Sequence, residues 1–187
     1  MPFDYPIVLD LAGVPVLVVG GGKVARRKIG GLVAARADIT VVAPTIDDAI
    51  RALPVRIVTR AYEPTDLDGV WLVVTATDDP STNAAVAADA QARLIWVNSA
   101  DDPANCTFTL PAIARDGAVT VAISTGGASP ALAAHLRAEI EQWLADIGAA
   151  DAAATLAAQR DELRSRGVST ESVDWSERVR HALRPPA

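Results

Sequence analysis

The chain has 187 residues, 50% of them hydrophobic and only 4% aromatic, which predicts a core of Ala, Val, Leu and Ile. This length suits one domain with an appended unit, and 21% charged residues beside so many apolar ones exclude a disordered chain. The formal net charge of −6 argues against a general nucleic-acid-binding protein, which would usually carry a basic face.

The first predicted elements are an apolar strand over residues 14–19 and a helix over residues 24–35, with three glycines between them. The spacing Gly20-x-Gly22-x-x-Ala25 is typical of a dinucleotide-binding turn. There, the glycines allow a tight turn close to a pyrophosphate, and the small third residue lets the helix pack on the strand. A glycine turn can also serve simple chain reversal, but its place after a buried strand favours nucleotide binding.

Further strands alternate with helical segments over the first hundred residues. The predicted strands are residues 38–43, 55–59, 69–76 and 94–97, with a helix over residues 82–93. Continuous Val and Ile runs between helices indicate a parallel sheet covered on both faces. We therefore predict an α/β fold of the Rossmann type, a doubly wound parallel sheet.

After Asn98 the pattern changes to short strands, predicted over residues 106–110 and 119–124 with a turn at residues 115–117. The second of these alternates in the manner of a half-buried antiparallel strand. Ser129 as N-cap and Pro130 as first residue then predict a helix. Its apolar stripe consists of Leu132, Leu136, Ile140, Trp143 and Leu144. Because such a small α+β unit leaves this stripe without a partner, we predict that it forms a homodimer.

The remaining chain is rich in alanine and charge, and helices are predicted over residues 149–166 and 172–183, with Pro185 and Pro186 after them. This tail is either a lid over a substrate cleft or helical packing for the dimer. The predicted divisions are a Rossmann-like nucleotide-binding domain over residues 1–112, a dimerisation unit over residues 113–146 and a helical segment over residues 147–187.

Ligands of parallel sheets bind beyond the carboxyl ends of the strands, so the residues there are candidate cofactor ligands. The second strand is followed by Pro44 and Thr45, and acidic residues come only later, at Asp47 and Asp48. Thr45 and backbone groups are therefore expected to hold the ribose in place of the usual carboxylate. Because no arginine at the strand end awaits a 2′-phosphate, we predict NAD rather than NADP as the cofactor.

Aspartates follow the fourth and fifth strands. Thr77 and Asp78 are predicted to line the cofactor crevice, while Asp79 or a neighbour caps the next helix. Asp101 and Asp102 are adjacent, so one of them can enter the site as a general base while the other caps or solvates the turn. From the pattern alone, a solvated turn aspartate is the more common outcome.

The single cysteine, Cys106, excludes an internal disulfide and is predicted to be a small buried hydrophobe. His135 and His181 lack clustered partners, so no metal site is predicted. We see no signal peptide at the N-terminus and no apolar stretch long enough for a bilayer, and expect a cytoplasmic protein with no membrane partner.

Four ordered motifs carry a resemblance to a known family. They are residues 19–28 (Val-Gly-Gly-Gly-Lys-Val-Ala-Arg-Arg-Lys), residues 76–79 (Ala-Thr-Asp-Asp) with Asn83, Val97 and Asn98 with Asp101, and residues 124–130 (Ser-Thr-Gly-Gly-Ala-Ser-Pro). Together they resemble the precorrin-2 dehydrogenase and sirohydrochlorin ferrochelatase module of siroheme synthases, over roughly residues 7–145. That module also exists as a stand-alone enzyme.

The resemblance implies NAD-dependent oxidation of the tetrapyrrole precorrin-2 to sirohydrochlorin, and in many members insertion of ferrous iron to give siroheme. It assigns the key carboxylate to Asp101, and the family's serine falls on Thr125. The candidate cofactor ligands are Gly20, Gly21, Gly22, Lys23, Val24, Ala25, Pro44, Thr45, Thr77 and Asp78. The candidate substrate ligands are Ser124, Thr125, Gly126, Arg115 and Arg137, together with Arg26 and Arg27, because the substrate carries several carboxylates.

Two other interpretations use the same glycine turn and dimer helix. A dinucleotide-binding sensor would dimerise and signal without turnover, and an idle partner would support a larger tetrapyrrole enzyme. A general base beside the cofactor, as proposed for Asp101, is not needed by a sensor.

Overall fold

The computed structural model describes residues 5–183. The chain divides into two compact units, one ending at Leu110 and the other beginning at Pro111. The predicted chain end at Pro185 and Pro186 lies outside the described residues.

The first unit is built around a five-stranded sheet with all neighbouring strands parallel, in the order β3-β2-β1-β4-β5. The strands are β1 (Pro15–Val19), β2 (Asp38–Val42), β3 (Arg56–Val58), β4 (Leu72–Thr75) and β5 (Trp96–Ser99). The helices are α1 (Lys23–Ala34), α2 (Asp48–Arg51) and α3 (Pro80–Ala92), with short 3₁₀ turns at Pro64–Leu67 and Pro103–Asn105. Because the chain winds outward from β1 in both directions, the predicted doubly wound Rossmann-type sheet is confirmed.

Both faces of this sheet are buried, which explains its continuous apolar strands. Successive side chains of β1 point to opposite faces, so Val16 packs in one core cluster and Leu17 in another. The first cluster includes Ala25 and Ile29 of α1, and the second includes Val86 of α3. An alternating strand would cover only one of these faces.

The second unit contains an antiparallel hairpin and three helices. Its elements are β6 (Ala112–Asp116), β7 (Val119–Ile123), α4 (Pro130–Asp146), α5 (Ala149–Ser165) and α6 (Ser176–Ala182). The predicted cap of α4 is confirmed, since the Ser129 hydroxyl accepts a hydrogen bond from the Leu132 N–H at 3.2 Å. The Asp116 carboxylate accepts a hydrogen bond from the Ala150 N–H at 2.9 Å and so joins β6 to the start of α5.

Two predicted elements are wrong. Residues 106–110 do not form a strand of the hairpin, because Thr107 bonds to β5 instead: its N–H donates to the Val97 carbonyl, and its hydroxyl accepts from the Val97 N–H, both at 2.8 Å. The hairpin strand starts at Ala112 and takes up Arg115 and Asp116, which were predicted to lie in the turn.

The last helix is also shorter than predicted, since it begins at Ser176 rather than at residue 172. The Asp174 carboxylate accepts a hydrogen bond from the Ser176 N–H at 2.9 Å, and the Trp175 indole donates to the Thr170 carbonyl at 3.0 Å. Such local side-chain bonds compete with helical hydrogen bonding, so the segment before Ser176 remains a turn.

The apolar stripe of α4 is only partly covered within its unit. Leu144 is buried and Ile140 is half-buried, and both pack in a cluster with Ala114 of β6. Leu132, Leu136 and Trp143 are 49%, 37% and 54% exposed. Over residues 5–183, no helix is long and apolar enough to cross a membrane.

Candidate cofactor and substrate site

The glycine turn after β1 is wedged between the ends of two neighbouring strands. Gly20 has φ +127 and donates its N–H to the Val42 carbonyl at 3.0 Å. A Cβ at Gly20 would overlap the carbonyl oxygen of Ala76, and one at Gly21 would overlap that of Thr45. Since neither position tolerates a side chain, the backbone itself forms the floor of the turn.

The N-terminus of α1 is open where a pyrophosphate would lie. Gly22 is the N-cap and offers no side-chain hydrogen bond, and a Cβ there would meet nothing within 4 Å. Lys23 is exposed, Val24 is half-buried, and Ala25 is fully buried against the sheet. The first-turn N–H groups and the positive end of the helix dipole therefore suit an anionic group, so these residues fit a dinucleotide.

Beyond β2, Pro44 and Thr45 are exposed. The following Asp47 turns into the short helix α2, where its carboxylate accepts from the Ala49 N–H at 2.8 Å, and its own N–H donates to the Gly21 carbonyl at 2.9 Å. The acidic side chain is thus used as a helix cap, and no arginine occupies positions 43–46.

The loop beyond β4 is held by a buried asparagine. Asn83 accepts from the Thr77 hydroxyl at 2.9 Å and from the Thr77 N–H at 3.2 Å, and it donates to the Thr77 carbonyl at 3.0 Å. Asp78 projects as an exposed side chain. The predicted cap of α3 is confirmed at Asp79, whose carboxylate accepts from Thr82 and Ser81, and these bonds lower its pKa to about 2.

The two aspartates beyond β5 differ in their surroundings. Asp102 accepts a hydrogen bond from the Asn105 side chain at 2.5 Å and precedes the 3₁₀ turn. Asp101 is exposed, its φ is +58, and its carboxylate has no hydrogen-bond donor within residues 5–183. The left-handed backbone costs on the order of 1–2 kcal/mol for a residue with a Cβ. Because Asn105 already binds the Asp102 carboxylate, the Asp101 carboxylate is the one left available for a ligand.

A lysine that was not predicted as a site residue lies beside this aspartate turn. The Lys28 ammonium donates to the Asn98 side-chain oxygen at 2.7 Å, and Asn98 is only 5% exposed. Burial lowers the pKa of Lys28, and Arg27 lowers it further, while Cys106 and Asp101 act in the opposite direction. The available sequence signal is the helical spacing: Lys28 comes three residues after the buried Ala25, which puts it on the inward side of α1.

The partner of this lysine, Asn98, is held in turn by its neighbours, and its amide nitrogen lies 3.8 Å from the Cys106 sulfur. The Asn98 amide donates to the Phe108 carbonyl at 3.0 Å, and the Cys106 sulfur accepts from the Ser99 N–H at 3.1 Å. Burial raises the pKa of the Cys106 thiol. Cys106 is half-buried, so it is a hydrogen-bonded thiol rather than the buried hydrophobe that was predicted.

Five of the seven candidate substrate ligands belong to the second unit. Ser124 accepts from the Gly126 N–H at 3.2 Å, and the Thr125 hydroxyl accepts from the Ser129 N–H at 3.1 Å. These hydroxyls therefore shape the turn that precedes α4. The two arginines differ: Arg137 pairs with Glu141 at 2.5 Å on α4, whereas Arg115 is exposed on β6. Arg26 and Arg27, in the first unit, are exposed on α1.

The histidines lie on exposed surfaces. His135 is exposed on α4, and His181 is exposed on α6 with its Nδ1 2.8 Å from the Glu177 carbonyl oxygen. In the part of the chain that the structure describes, no group of three or more His, Cys, Asp and Glu side chains is arranged to hold a metal ion.

Two family models match the chain. A model described as putative NAD(P)-binding matches residues 7–112, and one described as sirohaem biosynthesis protein central matches residues 116–142. The solved structure of SirC, a precorrin-2 dehydrogenase, is similar with a TM-score of 0.73 and 28% identity, covering 95% of this chain and 96% of that one.

Curated siroheme synthases are also similar. That of Pseudomonas entomophila (strain L48) is 46% identical over 146 residues, which is 75% of this chain and 32% of the relative. That of Methylococcus capsulatus (strain ATCC 33009 / NCIMB 11132 / Bath) is 48% identical over 143 residues, 74% of this chain and 30% of the relative. The chain spans about a third of the length of these proteins. The predicted resemblance to the siroheme synthase module is confirmed. Because the first family model matches more than half of this chain, the chain belongs to the putative NAD(P)-binding family that this model describes.

Proposed function

We propose that the chain is a precorrin-2 dehydrogenase, which oxidises precorrin-2 to sirohydrochlorin with NAD. One observation carries this function: the open N-terminus of α1 follows β1, and the exposed Asp101 carboxylate follows β5, at the same carboxyl edge of one parallel sheet. A nucleotide-binding turn and a candidate base thus share the edge where ligands of such sheets bind. Similarity to a solved precorrin-2 dehydrogenase over nearly the whole chain supports the same conclusion.

The glycine turn and the first turn of α1 would hold the pyrophosphate, and Pro44 and Thr45 would border the adenosine ribose. When bound, NAD supplies the hydride acceptor for the oxidation. We infer NAD rather than NADP because positions 43–46 offer no arginine for a 2′-phosphate, and the next polar side chains, Asp47 and Asp48, are acidic. Titration with both cofactors tests this preference: tighter binding of NADP would contradict it.

The role we assign to Asp101 is that of the proton acceptor. The oxidation removes one hydride and one proton from the substrate, so a base is required beside the reacting carbon or nitrogen. Asp101 has a carboxylate without an internal donor, whereas the neighbouring Asp102 is held by Asn105. The difference between the two favours Asp101 as general base.

The direct test is an anaerobic assay with enzymatically prepared precorrin-2 and NAD, following NADH absorbance and the sirohydrochlorin spectrum together. Coupled appearance of both products is expected. Tight NAD binding by folded protein without turnover would overturn the proposal in favour of a nucleotide sensor or an idle partner of a tetrapyrrole enzyme.

Insertion of ferrous iron into sirohydrochlorin is the second reaction that the resemblance implies, with iron as substrate. Asp101 is the carboxylate that could accept pyrrole protons in that step as well. The measurement is the rate of siroheme formation from sirohydrochlorin and ferrous iron with wild-type protein, with Asp101→Ala and with no protein. Equal rates in all three would exclude the reaction.

We also propose that the chain forms a homodimer through α4. Leu132, Leu136 and Trp143 remain exposed on that helix, and grouped apolar side chains of this size mark interaction surfaces. Sedimentation of the wild-type chain should give twice the mass of a 19.5 kDa monomer. Trp143→Glu should shift it to monomer, whereas Ala138→Glu, which adds the same charge at an exposed position off this stripe, should not. A monomeric wild type would contradict the proposal.

A further inference from the structure

Lys28 is a half-buried cation whose partner is neutral. Its ammonium donates to the Asn98 side-chain oxygen at 2.7 Å, and no ion pair joins it to an acidic residue anywhere in residues 5–183. The amide that receives it is itself held, because Asn98 donates to the Phe108 carbonyl at 3.0 Å. The ammonium of this half-buried lysine is therefore held in one position without an ion-pair partner among the described residues.

Such an arrangement is costly unless a negative group completes it. Removing a charge from water without an opposite charge is unfavourable, and the lowered pKa of Lys28 reflects that burial. An ammonium also has three donors, and Asn98 accepts only one of them. The remaining donors can serve an anionic ligand.

The position of Lys28 indicates which anionic ligand its free donors would bind. Side chains of a helix lean towards its N-terminus, so Lys28 reaches from the second turn of α1 back towards the carboxyl edge of the sheet. There it meets Asn98, three residues before Asp101, and it feels the charge of Asp101. The open amides of the first turn of α1 already suit the cofactor phosphates, so Lys28 is left for the molecule that meets Asp101.

We propose that Lys28 binds a side-chain carboxylate of the tetrapyrrole and thereby places the substrate beside Asp101. This assignment rests on the proposed dehydrogenase function, since it takes the substrate to be a polycarboxylate. Asn98 acts as a positioning residue, because it orients the ammonium without contacting the substrate itself. The interaction is a charge-assisted hydrogen bond of the kind that recognises carboxylates elsewhere.

The test compares Lys28→Met and Lys28→Gln with the wild type. Lys28→Met removes the charge and keeps most of the length of the side chain. Lys28→Gln removes the charge but keeps a hydrogen-bond donor for Asn98, so at least one of the two variants should fold. Arg56→Met is the matched control, because it removes one positive charge from an exposed position on the edge strand β3 of the same unit. Three quantities are measured: the Kd of sirohydrochlorin without NAD, the Kd of NAD, and kcat and KM for precorrin-2 as functions of pH.

The expected result is that both Lys28 variants weaken sirohydrochlorin binding and raise KM by about tenfold, as for loss of one charged hydrogen bond. The Kd of NAD should stay at its wild-type value, as should every quantity in Arg56→Met. Weaker NAD binding would instead assign Lys28 to the cofactor, and a shifted pH profile with unchanged sirohydrochlorin affinity would assign it to Asp101; either result overturns the proposal. Because the binding measurement needs no turnover, a wild type that binds sirohydrochlorin but does not oxidise precorrin-2 would refute the enzyme function alone.

Discussion

The two units of the chain bury their apolar residues differently. In the first unit the sheet is covered on both faces, and the largest fully buried side chains of the described chain all lie there. The second unit has one small cluster around Ala114 and Leu144, and three large apolar side chains of α4 remain exposed. The first unit is thus a self-sufficient scaffold for a site, whereas the second has an unpaired surface that suits a partner.

We expect the largest effect, a loss of activity, from substitution of Asp101, which follows β5 in the first unit. Asp101→Asn removes the proposed base with little change in shape, so kcat should fall by about 10²–10⁴-fold. Asp102→Asn keeps the oxygen that accepts from Asn105 and should remain active. Steady-state assays of both variants, with NAD binding measured in parallel, check this; equal activity of Asp101→Asn and wild type would remove the assigned role.

One core substitution in each unit compares how much their buried side chains contribute to stability. Ile29 is fully buried between α1 and the sheet, so Ile29→Ala should lower the free energy of unfolding by about 2–5 kcal/mol. Leu144→Ala should cost less, because the thin cluster around Leu144 can close over part of the cavity. Urea denaturation of both variants measures this. A larger loss of unfolding free energy in Leu144→Ala than in Ile29→Ala would contradict the proposal that the first unit has the more tightly packed core.

The glycine turn predicts a contrast between two glycines of the first unit. Gly21→Ala forces a methyl group against the Thr45 carbonyl, so the turn must shift, and the Kd of NAD should rise by at least about tenfold. Gly30→Ala lies on α1 with free space around its Cβ position and should leave NAD binding unchanged while stabilising the helix by about 1 kcal/mol. Calorimetric titration with NAD separates the two, and unaltered binding by Gly21→Ala would contradict the proposed cofactor site.

The smallest effect concerns acid stability. The pKa of Asp79 is lowered from 3.8 to about 2 in the folded state, so the stabilising effect of its charge is complete above pH 4 and is lost as the pH falls towards 2. Asp79→Asn retains an N-cap oxygen, so its Tm at pH 7 should be only slightly below that of the wild type. Thermal scans should show this difference vanishing near pH 2; a constant difference from pH 7 to pH 2 would show that Asp79 contributes no charge effect.

Much of the first unit could be predicted because its signals are local. Continuous apolar runs predicted the parallel strands, and the spacing of the glycines predicted the turn between β1 and α1. The strand predicted at residues 106–110 failed because Thr107 satisfies its hydrogen bonds with Val97, a partner ten residues earlier that local alternation does not reveal. The late start of α6 has the same kind of cause, namely competing side-chain bonds around Trp175.

Some residues of the candidate site could be predicted and others could not, for a related reason. Glycines and aspartates at strand ends can be recognised from their place in the sequence, so the residues around the turn and Asp101 were found. Lys28 and Asn98 are 70 positions apart, and only the fold brings the ammonium to the amide. The inward position of Lys28 on α1 was available from helical spacing, but its partner was not.

The most direct test of the account is the stoichiometry of a single anaerobic reaction of wild-type protein with precorrin-2 and NAD. One NADH should form for each sirohydrochlorin, at a rate proportional to the protein concentration. Sirohydrochlorin that forms without matching NADH, or no reaction by folded protein that binds both ligands, would contradict an NAD-dependent dehydrogenase.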